Sequence, residues 1–195
     1  MKIFKYIILP VLMLACIFSK PTFARGNINI VLDGKKIESD VEPYIKNGRT
    51  MVPVRFIAEA LGGTAEPMKN EGFPKEYEKF ISILDKRYED PMGIDLFIGK
   101  KVCLSDEAVY KADVAPEIKN GRTMVSLRFI ADYLRFNVKW DNATRTVYLS
   151  EMTRDEMANP EKDNFNKWYY EKGSEAMEKC IENGFTLKNL NEVFK

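Results

Sequence analysis

Apolar and polar residues alternate twice along the chain, at Ile28, Ile30 and Leu32 and again at Ile94, Leu96 and Ile98, which is the period of a strand with one buried face. Each run reaches a Gly-Lys-Lys step, at Gly34 and Gly99, where glycine suits the left-handed backbone of a tight turn. Asn47-Gly48 and Asn120-Gly121 then mark two hairpins, because a type I′ turn needs positive φ at both central residues. Ile45 with Met51-Val52, and Ile118 with Met124-Val125, are the expected flanking strands. The period then lengthens. Val54, Ile57, Ala58 and Leu61 fall at i, i+3, i+4 and i+7, as do Leu127, Ile130, Ala131 and Leu134, so each hairpin is predicted to lead into a helix. Pro53 suits the first turn of the first helix, and Ser126 can cap the second. Gly62 ends the first helix. Arg135 stands in that place after the second, where a left-handed backbone costs about 1 kcal/mol, so Asn137 is the expected turn residue. Val138, Trp140, Asp141-Asn142 and Thr146 to Leu149 predict a closing hairpin, with Trp140 in the core.

These patterns come in pairs because the chain is duplicated. Pro43 to Leu61 returns 73 residues later as Pro116 to Leu134, with 14 of 19 positions identical. Repeat one runs over about 28–67 and repeat two over about 94–150. An insertion at 68–80 separates them. Tyr77, Phe80, Ile81 and Leu84 are spaced as one helix face, which favours a helix over 74–84, with a hairpin strand from Phe80 to Leu84 as the alternative. Beyond Met152 a charged stretch around Asn159-Pro160 reads as a linker. Phe165, Trp168, Tyr169, Ala176, Met177, Cys180 and Ile181 then trace one side of a long helix, and Thr186 can cap a short last one, so 152–195 is predicted to be a helical extension.

A strand, Gly-Lys, Asn-Gly-Arg-Thr-Met-Val-Pro, Arg-Phe-Ile-Ala-Glu-Ala-Leu-Gly, and later Lys-Trp-Asp with Thr-Arg-Thr-Val together resemble the copper amine oxidase N-terminal-like, or stalk, domain of secreted bacterial proteins. The resemblance covers roughly Asn27 to Glu151 and lapses at Pro67 and over Met68–Lys79. It implies an α+β fold in which small antiparallel sheets each wrap around a helix, in two pseudo-repeats, here followed by the C-terminal helical extension. The family takes its name from an accessory domain of the oxidases, so the resemblance implies no catalytic residue.

The first residues set the compartment. Two lysines, an apolar run from Tyr6 to Phe18 and the small-residue exit Thr22-Phe23-Ala24 have the order of a secretory signal peptide cut after Ala24. A lipid anchor at Cys16, after Met13-Leu14-Ala15, is the rival reading. Cleavage after Ala24 leaves 27 basic against 29 acidic side chains, which argues against a nucleic-acid footprint. No apolar run after the signal is long enough to span a membrane. Cys103 and Cys180 remain, either as one disulfide or as two separately buried thiols.

Little chemistry is left. The chain has no histidine, which removes histidine-based triads and imidazole-bound copper or zinc. No phosphate-binding glycine loop, calcium loop or cysteine zinc site occurs, so no cofactor or metal is expected. Paired carboxylates are the remaining enzyme route, with Glu59 and Asp132 at equivalent helix positions as candidates for a small extracellular hydrolase. On helices whose apolar faces are already assigned, both are expected to point to solvent. Arg49 and Arg122, just past the turn glycines, are either contacts for an anionic wall polymer or partners of nearby carbonyls and carboxylates. Trp168 and Tyr169 in the tail are either packing residues or a face for a partner chain. The sequence therefore predicts a secreted or cell-surface module without catalysis, binding a cell-wall polymer or another secreted protein, or inhibiting one through its C-terminal helices.

Overall fold

The computed structural model describes residues 26–89, 91–105 and 109–159. The signal peptide, Cys16, Trp168, Tyr169, Cys180 and the predicted helices beyond Asn159 lie outside the described residues. In chain order, β1 (Asn29–Leu32) and β2 (Lys35–Ile37) form a hairpin, followed by β3 (Tyr44–Lys46), β4 (Arg49–Pro53) and helix α1 (Val54–Ala60). Next come β5 (Gly63–Lys69), β6 (Lys79–Asp85), β7 (Gly93–Phe97), β8 (Val102–Ser105) and β9 (Val109–Lys111). The second copy supplies β10 (Glu117–Lys119), β11 (Arg122–Ser126), helix α2 (Leu127–Tyr133), β12 (Phe136–Asp141) and β13 (Thr146–Glu151), and the short helix α3 (Arg154–Met157) follows. The fold is α+β and mostly antiparallel.

The two Asn-Gly turns build its centre. Asn47 and Gly48, and likewise Asn120 and Gly121, all have positive φ, as the type I′ geometry demands. The hairpins β3-β4 and β10-β11 lie side by side in one four-stranded sheet, ordered β10-β11-β4-β3. β4 and β11 run antiparallel with Val52 opposite Val125, its own counterpart in the other copy. A pseudo-twofold axis therefore passes between those two valines. One face of this sheet carries Val52 and Val125 into the main core, with Ile57, Ala58 and Leu61 of copy one and Leu127, Ile130, Ala131 and Leu134 of copy two. The opposite face buries the paired methionines Met51 and Met124 beside Val114, with Val41 and Tyr44 packed on them. Helix α1 packs on β11 and α2 on β4, so each helix lies across the other copy's strand.

The outer sheets also mix the copies. The closing hairpin of copy one joins the next strands in the sheet β5-β6-β7-β8-β9. The closing hairpin of copy two instead takes up the opening hairpin of the chain, in the order β12-β13-β1-β2, with β1 and β13 parallel. Both copies contribute side chains to the main core, which runs continuously across them.

Three sequence expectations change here. Residues Lys79–Asp85 form strand β6, not a helix, because Ile81, Ile83 and Asp85 alternate inward and the strand is paired on both sides, by β5 and β7. The helical spacing of Tyr77, Phe80, Ile81 and Leu84 is incidental: Tyr77 and Phe80 pack in a satellite core with Phe97, Val102 and Val109. Arg135 itself takes the left-handed turn after α2, at φ 62°, and Asn137 stays in β12. The neighbouring backbone holds it there, since the Arg135 carbonyl accepts from Met152 N at 2.9 Å. Trp140 is 37% exposed rather than core, because it stands near the turn end of β12, past Phe136 and Val138. A smaller adjustment is that Pro53 is the N-cap of α1 and not its first helical residue.

Gly62 ends α1 at φ +85°, and a Cβ there would lie 2.9 Å from Cγ and Cδ of Arg87. Gly62→Ala is expected to cost about 1–2 kcal/mol from the left-handed backbone alone, and more as Arg87 is displaced. Thermal unfolding of the variant measures this.

Candidate functional site

The repeated arginines project from the two hairpin tips, where the chain turns at Asn-Gly and each guanidinium faces outward. Because β4 and β11 are antiparallel, the tips point to opposite ends of the central sheet, roughly 20 Å apart at about 3.3 Å per residue. They do not form one contact surface. Arg122 pairs with Asp40 through Nη2 at 2.7 Å and Nε at 2.8 Å, and Arg49 pairs with Asp113. Asp40 and Asp113 occupy the same place in the two copies, so these are reciprocal ties, each reaching from one copy's turn to the bend that precedes the other copy's hairpin. Both are largely exposed, which limits each to about 1 kcal/mol.

A second crossed set lies on the same axis. Tyr44 and Glu117 are counterparts, and the Tyr44 hydroxyl donates to the Glu117 carboxylate. Lys46 also donates to Glu117, while its counterpart Lys119 stands 3.6 Å from the centre of the Tyr44 ring. Lys46 first, and then Tyr44, hold the Glu117 carboxyl below the usual carboxylate range. Burial, and then the bond to Glu117, push the Tyr44 phenol up. Depression of a folded-state carboxyl gives stability that is present above the ordinary glutamate pKa and is lost as pH falls through the lower folded value. Glu117→Gln is therefore expected to flatten the acid side of the stability–pH curve, as read by urea unfolding between neutral and acid pH, with little change in its slope above neutrality.

Where the copies diverge, a cleft opens. It has a volume of about 450 Å³ and lies between α1, the start of β5 and the tip of the second hairpin. Pro53, Val54, Phe56, Ala65, Pro67 and Ile81 supply apolar walls, and Glu38, Asp40, Arg55, Glu59 and Arg122 supply charge. The counterparts in copy two explain the asymmetry. Phe129, equivalent to Phe56, is only 9% exposed, whereas Phe56 is half-buried. Ser126, equivalent to Pro53, donates to Asp113 at 3.2 Å, a bond that proline cannot offer Asp40. Trp140 stands where copy one has Pro67. Sequence reasoning singled out Pro53 against Ser126, and the Pro67 departure, but had no signal that these two prolines border one space.

Of the predicted site residues, the cleft contains Arg122 and Glu59 but not Arg49 or Asp132. Glu59 is exposed as expected, and Asp132 is half-buried on the other helix. Cys103 sits fully buried in β8 within the main core, where burial pushes its thiol up and the thiol donates to the Lys101 carbonyl at 3.5 Å. Its proposed disulfide partner, Cys180, is outside the described residues.

A family model described as the copper amine oxidase N-terminal domain matches residues 22–73 and 88–149, more than half of the chain. The chain belongs to this family. The matched part of a copper amine oxidase is its N-terminal, non-catalytic domain. No match was found among curated proteins or among solved structures. The copper amine oxidase N-terminal domain match pauses over 74–87, which takes in β6, Tyr77, Phe80 and Arg87. That stretch contributes Tyr77 and Phe80 to the satellite core and carries Arg87, whose contacts run to both copies.

Proposed function

We propose that this chain is a non-catalytic module working outside the cytoplasm, with the interlocked pair of copies as scaffold and the cleft of copy one as its binding surface. One observation supports this most directly. Arg49 and Arg122, shared by both copies, hold them together through Asp113 and Asp40, while Pro53, Glu59, Ala65 and Pro67, which differ from their counterparts, help line an open, partly apolar space of ordinary ligand-site size. The partner is a cell-wall polymer or another secreted protein. Export rests on the leader-like residues 1–24.

Capture of partners from culture supernatant and wall fractions tests the reading, using the full chain and a chain ending at Asn159. The cut belongs there because Met152 is 8% exposed and is bonded to Arg135, so an earlier end would damage the domain. Retained capture supports the repeat domain as the binding part. Loss of capture on truncation moves the activity to the tail that carries Trp168 and Tyr169. Hydrolysis of a wall glycan that disappears with Glu59→Gln would overturn the non-catalytic reading.

A further inference from the structure

We infer that the cleft of copy one takes the side chain of a lysine from a partner polypeptide, its alkyl stem lying against Phe56 and Pro67 and its ammonium against Glu59. This rests on the reading of the repeat domain as a binding module and names the chemistry of that site.

The assignment follows from which charges in the cleft are already committed. Arg122 is held by Asp40 at 2.7 Å. Arg55, one helical turn before Glu59 on α1, would be its natural i, i+4 neighbour, yet Arg55 is directed to Glu66 at 3.8 Å. Among the described residues, the Glu59 carboxylate makes no ion pair or side-chain hydrogen bond, although it lines the cleft. The uncommitted charge of the cleft is therefore negative. Beside it lie an aromatic ring and a proline, both partly open to solvent. Lysine matches this combination because it pairs a long apolar stem with a compact ammonium, and the face of a phenylalanine also attracts a cation. An anionic polymer would have to displace Asp40 from Arg122 or Glu66 from Arg55 before it met a free cation.

Copy two provides an internal control. Asp132 is the counterpart of Glu59, but Phe129 is buried and Trp140 replaces Pro67, so the equivalent place does not offer the same walls.

The experiment titrates the full chain with the peptide acetyl-Ala-Lys-Ala-amide and follows the methyl resonances of Val54, Ala65 and Ile81. Saturable shifts are expected, and acetylation of the lysine Nζ should abolish them. Glu59→Gln is expected to weaken binding about ten-fold, the scale of a hydrogen bond to a charged group, and Asp132→Asn to leave it unchanged. Pro67→Trp should abolish binding by filling the space. If that variant does not fold, Glu59→Gln decides alone, since Glu59 is an exposed side chain. Absence of shifts, equal affinity in Glu59→Gln, or an equal loss in Asp132→Asn would overturn the assignment. Tighter binding of 1,5-diaminopentane than of the peptide would overturn the polypeptide source in favour of a free amine. A Glu59→Gln chain that still captures its wall or supernatant partner in full removes the cleft lysine from the account and leaves the module reading standing.

Discussion

Replacing Arg87 with alanine is expected to lower the unfolding free energy by about 3–5 kcal/mol, the cost of leaving a buried charge without its partner. Arg87 grips Asp85 through Nε at 2.9 Å and Nη2 at 2.6 Å, and Asp85 is only 2% exposed. The same guanidinium donates to Glu151 at 2.8 Å and to the carbonyl of Leu134, the last residue of the second helix region, and lies 5.0 Å from the centre of the Phe136 ring. Asp85 closes β6 of copy one and Glu151 closes β13 of copy two, so one side chain joins the ends of both closing hairpins. Without it, the backbone N–H of residue 87 would remain as the donor to Asp85. Arg87→Lys should recover little, because an ammonium cannot reproduce the planar two-pronged contact or the stacking. Urea unfolding gives the loss, and a double-mutant cycle with Asp85→Asn apportions it. A loss under about 1 kcal/mol would show that Asp85 is far better solvated than its position implies.

Phe97→Ala is expected to be comparably severe, at about 3–5 kcal/mol. Phe97 is fully buried and stands at the centre of an aromatic group, with ring centroids 5.3 Å from Tyr77, 5.6 Å from Phe80 and 6.0 Å from Phe73. Truncation removes a large buried ring and also the edge-to-face contact with Tyr77. The loss should be local in character. Hydrogen exchange is expected to rise first over 70–80, whose aromatic side chains have this ring as their common neighbour, while amides of β4 and β11 change only with global unfolding. Uniform acceleration across all sheets would instead show that the satellite core and the main core unfold together.

What the sequence disclosed and what it hid divide along a physical line. The Asn-Gly turns, the α1 and α2 stripes and the Ser126 cap are local devices, each specified by a few adjacent residues, and they stand where their chemistry requires. Lys79–Asp85 reads as helix or as hairpin strand, because its partner strands β5 and β7 decide its conformation and Tyr77, Phe80, Ile81 and Leu84 happen to match a helical period. Arg135 misleads for a similar reason: a strain of about 1 kcal/mol is offset by the backbone bond its carbonyl accepts from Met152, which lies 17 residues further on. The pairing of Arg49 with Asp113 and of Arg122 with Asp40 was legible only as a type of contact, since nothing local says which carboxylate each would find. The cleft was least visible of all. Pro53 and Pro67 differ from Ser126 and Trp140 while Phe56 is identical to Phe129, and their joint effect exists only once β5 has been folded onto α1.

The parallel pairing of β1 with β13 has a consequence for how the molecule is made. Asn29 lies opposite Thr146, so β1 must wait during synthesis for a partner more than a hundred residues later. At about 5–20 residues per second of synthesis, that wait is on the order of ten seconds. During it, β1 and β2 are an isolated hairpin, a unit too small to hold its shape in water. The nascent chain thus stays unfinished until nearly its whole repeat region has emerged, and a chain interrupted before Thr146 never closes.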